Sequence, residues 1–242
     1  MIISKSNIVS TNNILLISGT LSDGAMVNTR DPDFSSNVSS NSTTFSIRFT
    51  SVGSIQYLGL HGLSLPVGCV VTITGTGFNH SYTTTRDVKN LVFYQSTPAT
   101  AGNLTIEFSG GGSKTISYIQ AGLATVIDWG TNPGQPLHYL ASQRRTRAAT
   151  NENGMPVRRV QEVVIPRLRL TMNNMAKSWA RDDLQAIRLM YETYGILSQL
   201  DYEDDSQPDE SCALFELSDF AVSTHSQTTE LVNVSLTCRA LA

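Results

Sequence analysis

Thr44-Phe45-Ser46-Ile47-Arg48-Phe49 is the stretch whose reading decides the fold class. Apolar and polar residues alternate strictly, which is the period-2 pattern of a strand with one face buried and one in water. Working outward, the same grammar repeats on both sides. Ile14-Leu15-Leu16-Ile17 is a short apolar run ended by Gly19, and Ile55-Gln56-Tyr57-Leu58-Gly59-Leu60 follows the opening stretch. Beyond His61-Gly62, a strand is predicted through Cys69-Val70-Val71-Thr72-Ile73-Thr74, with others at 91–94, 104–108 and 116–119. Gly110-Gly111-Gly112-Ser113 lies between the last two and predicts a hairpin with a flexible tip. Residues 22–43 are rich in Ser, Asn, Asp and Thr and read as a long loop. Short strands separated by regular turn signals predict an antiparallel β-sandwich over residues 1–128.

After residue 128 the composition changes. Trp129-Gly130-Thr131-Asn132-Pro133-Gly134-Gln135-Pro136 breaks regular structure, and residues from Arg144 to Pro156 read as an exposed arm. Residues 129–158 are therefore expected to link the sandwich to a second domain at 159–242. There Val163, Ile165, Leu168 and Leu170 alternate, with Pro166 implying an edge or a bulge. A helix is predicted from about Ala180 to Tyr194, capped by Ser178, favoured by Asp182 and Asp183 at its positive end, and stopped by Gly195. Leu184, Ile187, Tyr191 and Tyr194 form its apolar stripe. Strands at 212–217, 220–223 and 231–239 then complete a small α+β domain with one main helix. The expected class is mainly β.

The chain's 242 residues include 40% hydrophobic and only 15% charged residues. The remainder is dominated by the Ser, Thr, Asn and Gly of turns and half-exposed strands. A net charge of -3 argues against a protein that works by neutralising phosphates, so no nucleic-acid partner is expected. Cys69, Cys212 and Cys238 are widely spaced and fit neither a disulfide framework nor a zinc site. No apolar run has the length of a membrane span. The start, Met1-Ile2-Ile3-Ser4-Lys5, lacks the pattern of a secretory leader, so release into the cytoplasm is expected.

No catalytic constellation emerges. His61, His80, His138 and His225 fall in no HExxH or HxH arrangement, and there is no GxSxG elbow and no phosphate-binding glycine loop. Asp201, Glu203, Asp204 and Asp205 offer carboxylates, but consecutive acids in a loop with Gln207 and Pro208 read as a solvated segment. That run lacks the spacing of a calcium loop, and Asp23, Asp31 and Asp33 are a weaker alternative for the same ion. No metal or cofactor is expected, and the chain reads as non-enzymatic. Phe78, His80 and Tyr82, in a stretch with Asn79 and Ser81, are the candidate carbohydrate-recognition residues, with Phe78 and Tyr82 expected as an exposed loop pair. Arg144, Arg145, Arg147, Arg158 and Arg159 are opposite in charge to Asp204 and Asp205, which suits docking between subunits of a symmetric homo-oligomer.

Residues 55–64 (Ile55-Gln56-Tyr57-Leu58-Gly59-Leu60-His61-Gly62-Leu63-Ser64), followed by a Val-x-Ile-x-Gly strand, resemble the middle of galactose-binding-like, discoidin-like sandwiches of jelly-roll type. Joined to a unit ending Leu214-Phe215-Glu216-Leu217-Ser218-Asp219-Phe220 and a long last strand, the order of features resembles tail-tip or baseplate proteins of tailed bacteriophages. The resemblance covers most of the chain and its motifs are loose. It implies a virion component assembled in the host cytoplasm, ring-forming, in contact with other tail proteins, and carrying a sandwich for which carbohydrate binding, with a host-surface glycan as the partner, is an open alternative. It assigns no site residue.

Overall fold

The computed structural model describes residues 2–9, 14–30, 35–126, 143–150, 156–164, 167–194, 197–200, 212–224 and 230–240. Its strands are, in chain order, β1 (Ile2–Ser4), β2 (Ile14–Ser18), β3 (Val38–Ser40), β4 (Thr44–His61), β5 (Val70–Gly75), β6 (Phe78–Thr83), β7 (Asn90–Ser109) and β8 (Lys114–Ile116). They continue as β9 (Tyr118–Gly122), β10 (Ala124–Val126), β11 (Gln143–Thr150), β12 (Pro156–Val164), β13 (Arg167–Ala176), β14 (Leu197–Leu200), β15 (Cys212–Thr224) and β16 (Leu231–Ala240). All the strand pairings described are antiparallel, and the protein is mostly β with one main helix, as expected.

One sheet runs in the order β2-β4-β7-β5-β6, with β9 also paired to β4. The deciding stretch lies at the start of β4. Phe45, Ile47 and Phe49 are buried, and their cross-strand partners on β7 are Phe108, Ile106 and Leu104. The Phe45 and Phe108 rings stack at 5.8 Å. Val71 and Ile73 of β5 extend the same apolar face, while Val38 and Ile116 of the two-stranded β3–β8 ribbon join this core as well. Each such side chain removed from water contributes about 1.5–3 kcal/mol.

Several expected strands prove to be parts of longer ones. Residues 44–49 and 55–60 are a single β4, and 91–94 and 104–108 a single β7, because bulges at Thr50/Gly53 and Ile55/Tyr57 absorb the irregular positions. The hairpin expected across Gly110–Gly112 does not form. Residues 104–108 pair with β4 and β5, whereas β8 pairs with β3 and β9 with β4. The glycines instead make a crossover turn, with φ of 127° at Gly110 and 89° at Gly112. Buried Lys114 fixes that turn, since its Nζ donates to the carbonyls of Ser42, Gly110 and Gly112 at 2.8, 2.6 and 3.2 Å. The loop expected over 22–43 contains a 3₁₀ helix at Met26–Arg30 and the strand β3.

A second sheet, ordered β10-β1-β14-β15-β16-β13, crosses the boundary placed near residue 128. Ile2 of β1 pairs with Val126 on one side and Leu200 on the other, so both chain halves supply strands to it. Tyr57, Val92 and Ala124, with Tyr94 against them, form a separate small core, and Tyr57 Oη donates to the Ser6 carbonyl at 2.7 Å. The arm expected at 144–156 is in part a hairpin, β11 with β12, in which Arg145 is opposite Glu162 and Arg147 opposite Val160.

The helix begins earlier than expected, at Lys177, passes through a π-helical turn at Ala180–Leu184, and continues over Gln185–Tyr194. Its N-cap is Ala176 without a side-chain cap, not Ser178; the Lys177 N–H donates to the Glu230 carbonyl at 2.8 Å, which satisfies one of the helix's unpaired first-turn donors. Leu184, Ile187 and Met190 are its buried side chains among those described. Asp183, in the π turn, accepts from Lys5 Nζ at 2.7 Å and Thr125 Oγ1 at 2.6 Å, joining the helix to β10 and to the residue after β1.

Candidate functional site

β5 and β6 form a tight hairpin through Thr76 and Gly77, the latter at φ 76°. Asn79 Oδ1 accepts the Gly75 N–H at 3.3 Å and closes the turn. The sequence expectation that Phe78 and Tyr82 are an exposed loop pair does not hold. Both lie on β6, and strand alternation turns Phe78, His80 and Tyr82 to one side. Phe78 is fully buried and belongs to the sandwich core, leaving no ring face for a sugar. His80 is half-buried between rings, 4.5 Å from Phe78 and 5.7 Å from Phe93 by centroid, and its Nε2 finds no hydrogen-bond partner among the described residues. Burial pushes its pKa below the ordinary histidine value. Tyr82 packs against the core edge.

The intervening residues of the same strand carry the exposed surface. Asn79, Ser81 and Thr83 are exposed. Cross-strand register continues their face through Thr74 and Thr72 of β5, Thr105 and Glu107 of β7, and Arg48 and Ser46 of β4. The row Asn79–Thr74–Thr105–Arg48 lies beside the row Ser81–Thr72–Glu107–Ser46; every member has a hydrogen-bonding side chain, and Ser46 alone among them is buried. Two internal contacts stiffen the surface: Arg48 Nε donates to Thr105 Oγ1 at 3.3 Å, and Ser46 Oγ to Glu107 Oε2 at 3.2 Å. Among the described residues no ion pair joins Arg48 and Glu107. A guanidinium donor and a carboxylate acceptor thus stand near one another on a rigid sheet, ready for a ligand with both hydrogen-bonding roles. The signal in the sequence was the alternation of Phe78-Asn79-His80-Ser81-Tyr82-Thr83, obscured by its turn-like composition.

Other candidates fall elsewhere. His61 is fully buried, its Nδ1 3.0 Å from Asn90 Oδ1 and its ring stacked on Tyr118; burial pushes its pKa down to about 4, against the raising effect of the Asn90 bond. Cys69 is a buried free thiol, raised in pKa by burial. Of the calcium candidates, Asp23 is exposed and its Oδ1 accepts the Gly24 N–H, while Asp31 and Asp33 lie outside the described residues. Among the described residues no group of three or more His, Cys, Asp or Glu is arranged to hold a metal, and no helix is long and apolar enough to cross a membrane. Arg144, Arg145 and Arg147 stand on β11, and Arg158 and Arg159 on β12; Asp204, Asp205, His138 and His225 lie outside the described residues.

No family model matches the chain, and neither does any curated protein. Solved structures of carbohydrate-related proteins do match over about half of it. A Streptococcus pneumoniae fucose binding module, SpX-3, is 11% identical at a TM-score of 0.39, covering 49% of this chain and 98% of its own. A chitosan-binding module from a chitosanase/glucanase of Paenibacillus sp. IK-5 is 12% identical at 0.40, covering 49% and 99%. SpGH29 is 11% identical at 0.38, covering 48% of this chain and only 28% of its own length. None of these three is named as a tail or baseplate protein. The likeness is to the outline of a β-sandwich module in part of the chain, and the ligands belong to those proteins.

Proposed function

We propose that this chain is a carbohydrate-binding protein that holds a glycan on the outer face of the β4-β7-β5-β6 sheet and does not turn it over. The observation that carries the reading is the polar surface of Arg48, Glu107, Thr72, Thr74, Thr105, Asn79 and Ser81, with buried Ser46 beneath it donating to Glu107. Sugar hydroxyls donate and accept at once, and this surface offers both roles from side chains fixed by the sheet. Arg48 and Glu107 are the primary contacts; Asn79 and Ser81 extend the site along the hairpin. With no aromatic platform on these two rows, recognition proceeds by hydrogen bonds. Screening the full chain on an array of neutral and acidic oligosaccharides tests the reading: a reproducible set of hits supports it, and an empty array overturns it.

The β11–β12 hairpin favours a second, compatible reading. Among the described residues its two strands pair only with each other, with Arg144, Arg145, Arg147, Arg158 and Arg159 along them. Such a cationic element suits docking in an assembly, as the resemblance to tail-tip and baseplate proteins implies. Mass spectrometry of purified particles from the source tests it. Detection at stoichiometric level is the expected result, and absence from particles rejects it.

A further inference from the structure

Arg48 and Glu107 are the charged members of the two outer rows, one of each sign, and the other members are neutral. The two are diagonal neighbours. Arg48 of β4 is opposite Thr105 of β7, and Glu107 lies two residues further along β7 on the same face. Such positions stand about 7–8 Å apart, within reach of two long side chains. An ion pair could close there, yet each group is held by a neighbouring hydroxyl instead. Arg48 Nε donates to Thr105 Oγ1 at 3.3 Å, and the two terminal guanidinium nitrogens have no partner among the described residues. Glu107 is exposed, and its Oε2 accepts from Ser46 Oγ at 3.2 Å, which in turn accepts from Ser18 Oγ at 2.9 Å. This chain of hydroxyls runs from β2 through β4 to β7 and fixes one carboxylate oxygen, while Oε1 has no partner among the described residues.

We propose that the ligand of this surface is an uncharged sugar whose hydroxyls on adjacent carbons bridge the pair, one accepting from the Arg48 guanidinium and the other donating to Glu107 Oε1. The inference rests on the glycan-binding reading and names the class of glycan. Donor and acceptor stand side by side with cancelling charges, so a ligand gains most by filling both roles at once. A glycan carboxylate or sulfate would pair with Arg48 but set a like charge against Glu107. A protonated amino sugar would pair with Glu107 and meet the same conflict at Arg48. A hydroxyl pair satisfies both groups. Accepting from the guanidinium also polarises the first hydroxyl, so the two bonds reinforce one another.

The test is an array of neutral, uronate- or sulfate-bearing, and free-amine oligosaccharides, followed by titration of the strongest hit into the full chain and its variants. The expected hits are neutral glycans. Arg48→Ala and Glu107→Ala should each weaken the strongest of them by about 10-fold or more, with melting temperatures near that of the parent. Periodate oxidation of that glycan, which cleaves the carbon–carbon bond between adjacent hydroxyls, should remove its binding. The sign of each single variant separates the alternatives. With an acidic glycan, Glu107→Ala removes a repulsion and tightens binding; with a cationic amino sugar, Arg48→Ala does so. Hits confined to charged glycans, tighter or unchanged binding in either variant, or full affinity after periodate overturn the proposal and leave glycan binding itself standing. An array without hits overturns the glycan-binding reading and the proposal with it.

Discussion

The two faces of the sandwich sheet are built from the same strands and do opposite things. On β6, Phe78 enters the core, His80 lies half-buried between rings and Tyr82 packs at the core edge, while Asn79, Ser81 and Thr83 remain in solvent. On β4, Phe45, Ile47 and Phe49 face inward, with Ser46 and Arg48 between them on the other side. If the outer face binds glycan as proposed, stability and recognition are separated by one position along the strand, and a substitution on one face should leave the other's property intact.

The largest effect expected is on the buried face. Phe78→Ala removes a fully buried ring and should cost about 3–5 kcal/mol of stability in urea unfolding, while the protein that remains folded keeps its glycan affinity. A loss of affinity without loss of stability would show that Phe78 touches ligand.

His61 lies in the interior as well, and its pKa of about 4 is below the ordinary 6.5. The unfolded chain therefore takes up this proton first as pH falls. Stability contributed by the neutral, buried ring is complete above about pH 6.5 and is lost as pH drops toward 4, by about 3 kcal/mol. His61→Gln should flatten that part of the pH–stability curve. An unchanged slope would mean that other groups carry the acid sensitivity.

A smaller effect is expected where the helix meets the second sheet. Burial raises the Asp183 carboxyl pKa, but the bonds from Lys5 and Thr125 and the charge of Lys5 hold it below the ordinary carboxylate range overall. The stability it contributes is therefore present above the unfolded carboxylate's pKa and is lost as pH falls through the lowered folded value. Both partners of the pair are about one-quarter exposed, so Asp183→Asn should cost only about 1 kcal/mol, measured by thermal unfolding at neutral pH. The effect should vanish in acid.

What was legible in the sequence was local and periodic. Thr44–Phe49 declares a half-buried strand by alternation alone, and the structure pairs it accordingly. The Phe78–Thr83 strand alternates as cleanly, yet Gly75, Gly77 and Asn79 give it the composition of a loop, which hides that Phe78, His80 and Tyr82 turn inward. The outer polar surface was hidden for a different reason: Arg48, Glu107, Thr72 and Ser81 come from four strands and meet only through cross-strand register, which no single stretch encodes. The same non-locality concealed the pairing of Ile2 with both Val126 and Leu200. In β11 the arginines suppress any apolar alternation, and the strand exists because β12 pairs with it.

The separation of faces is tested most directly by the glycan affinity of the Arg48→Ala, Glu107→Ala double variant, using the strongest oligosaccharide hit of the parent chain. Both residues lie on the outer face and neither contributes to the core. The account predicts a melting temperature within a few degrees of the parent and a loss of binding of at least about 100-fold, the summed effect of two hydrogen bonds to charged groups. A double variant that is equally stable and binds the same glycan with undiminished affinity would contradict it.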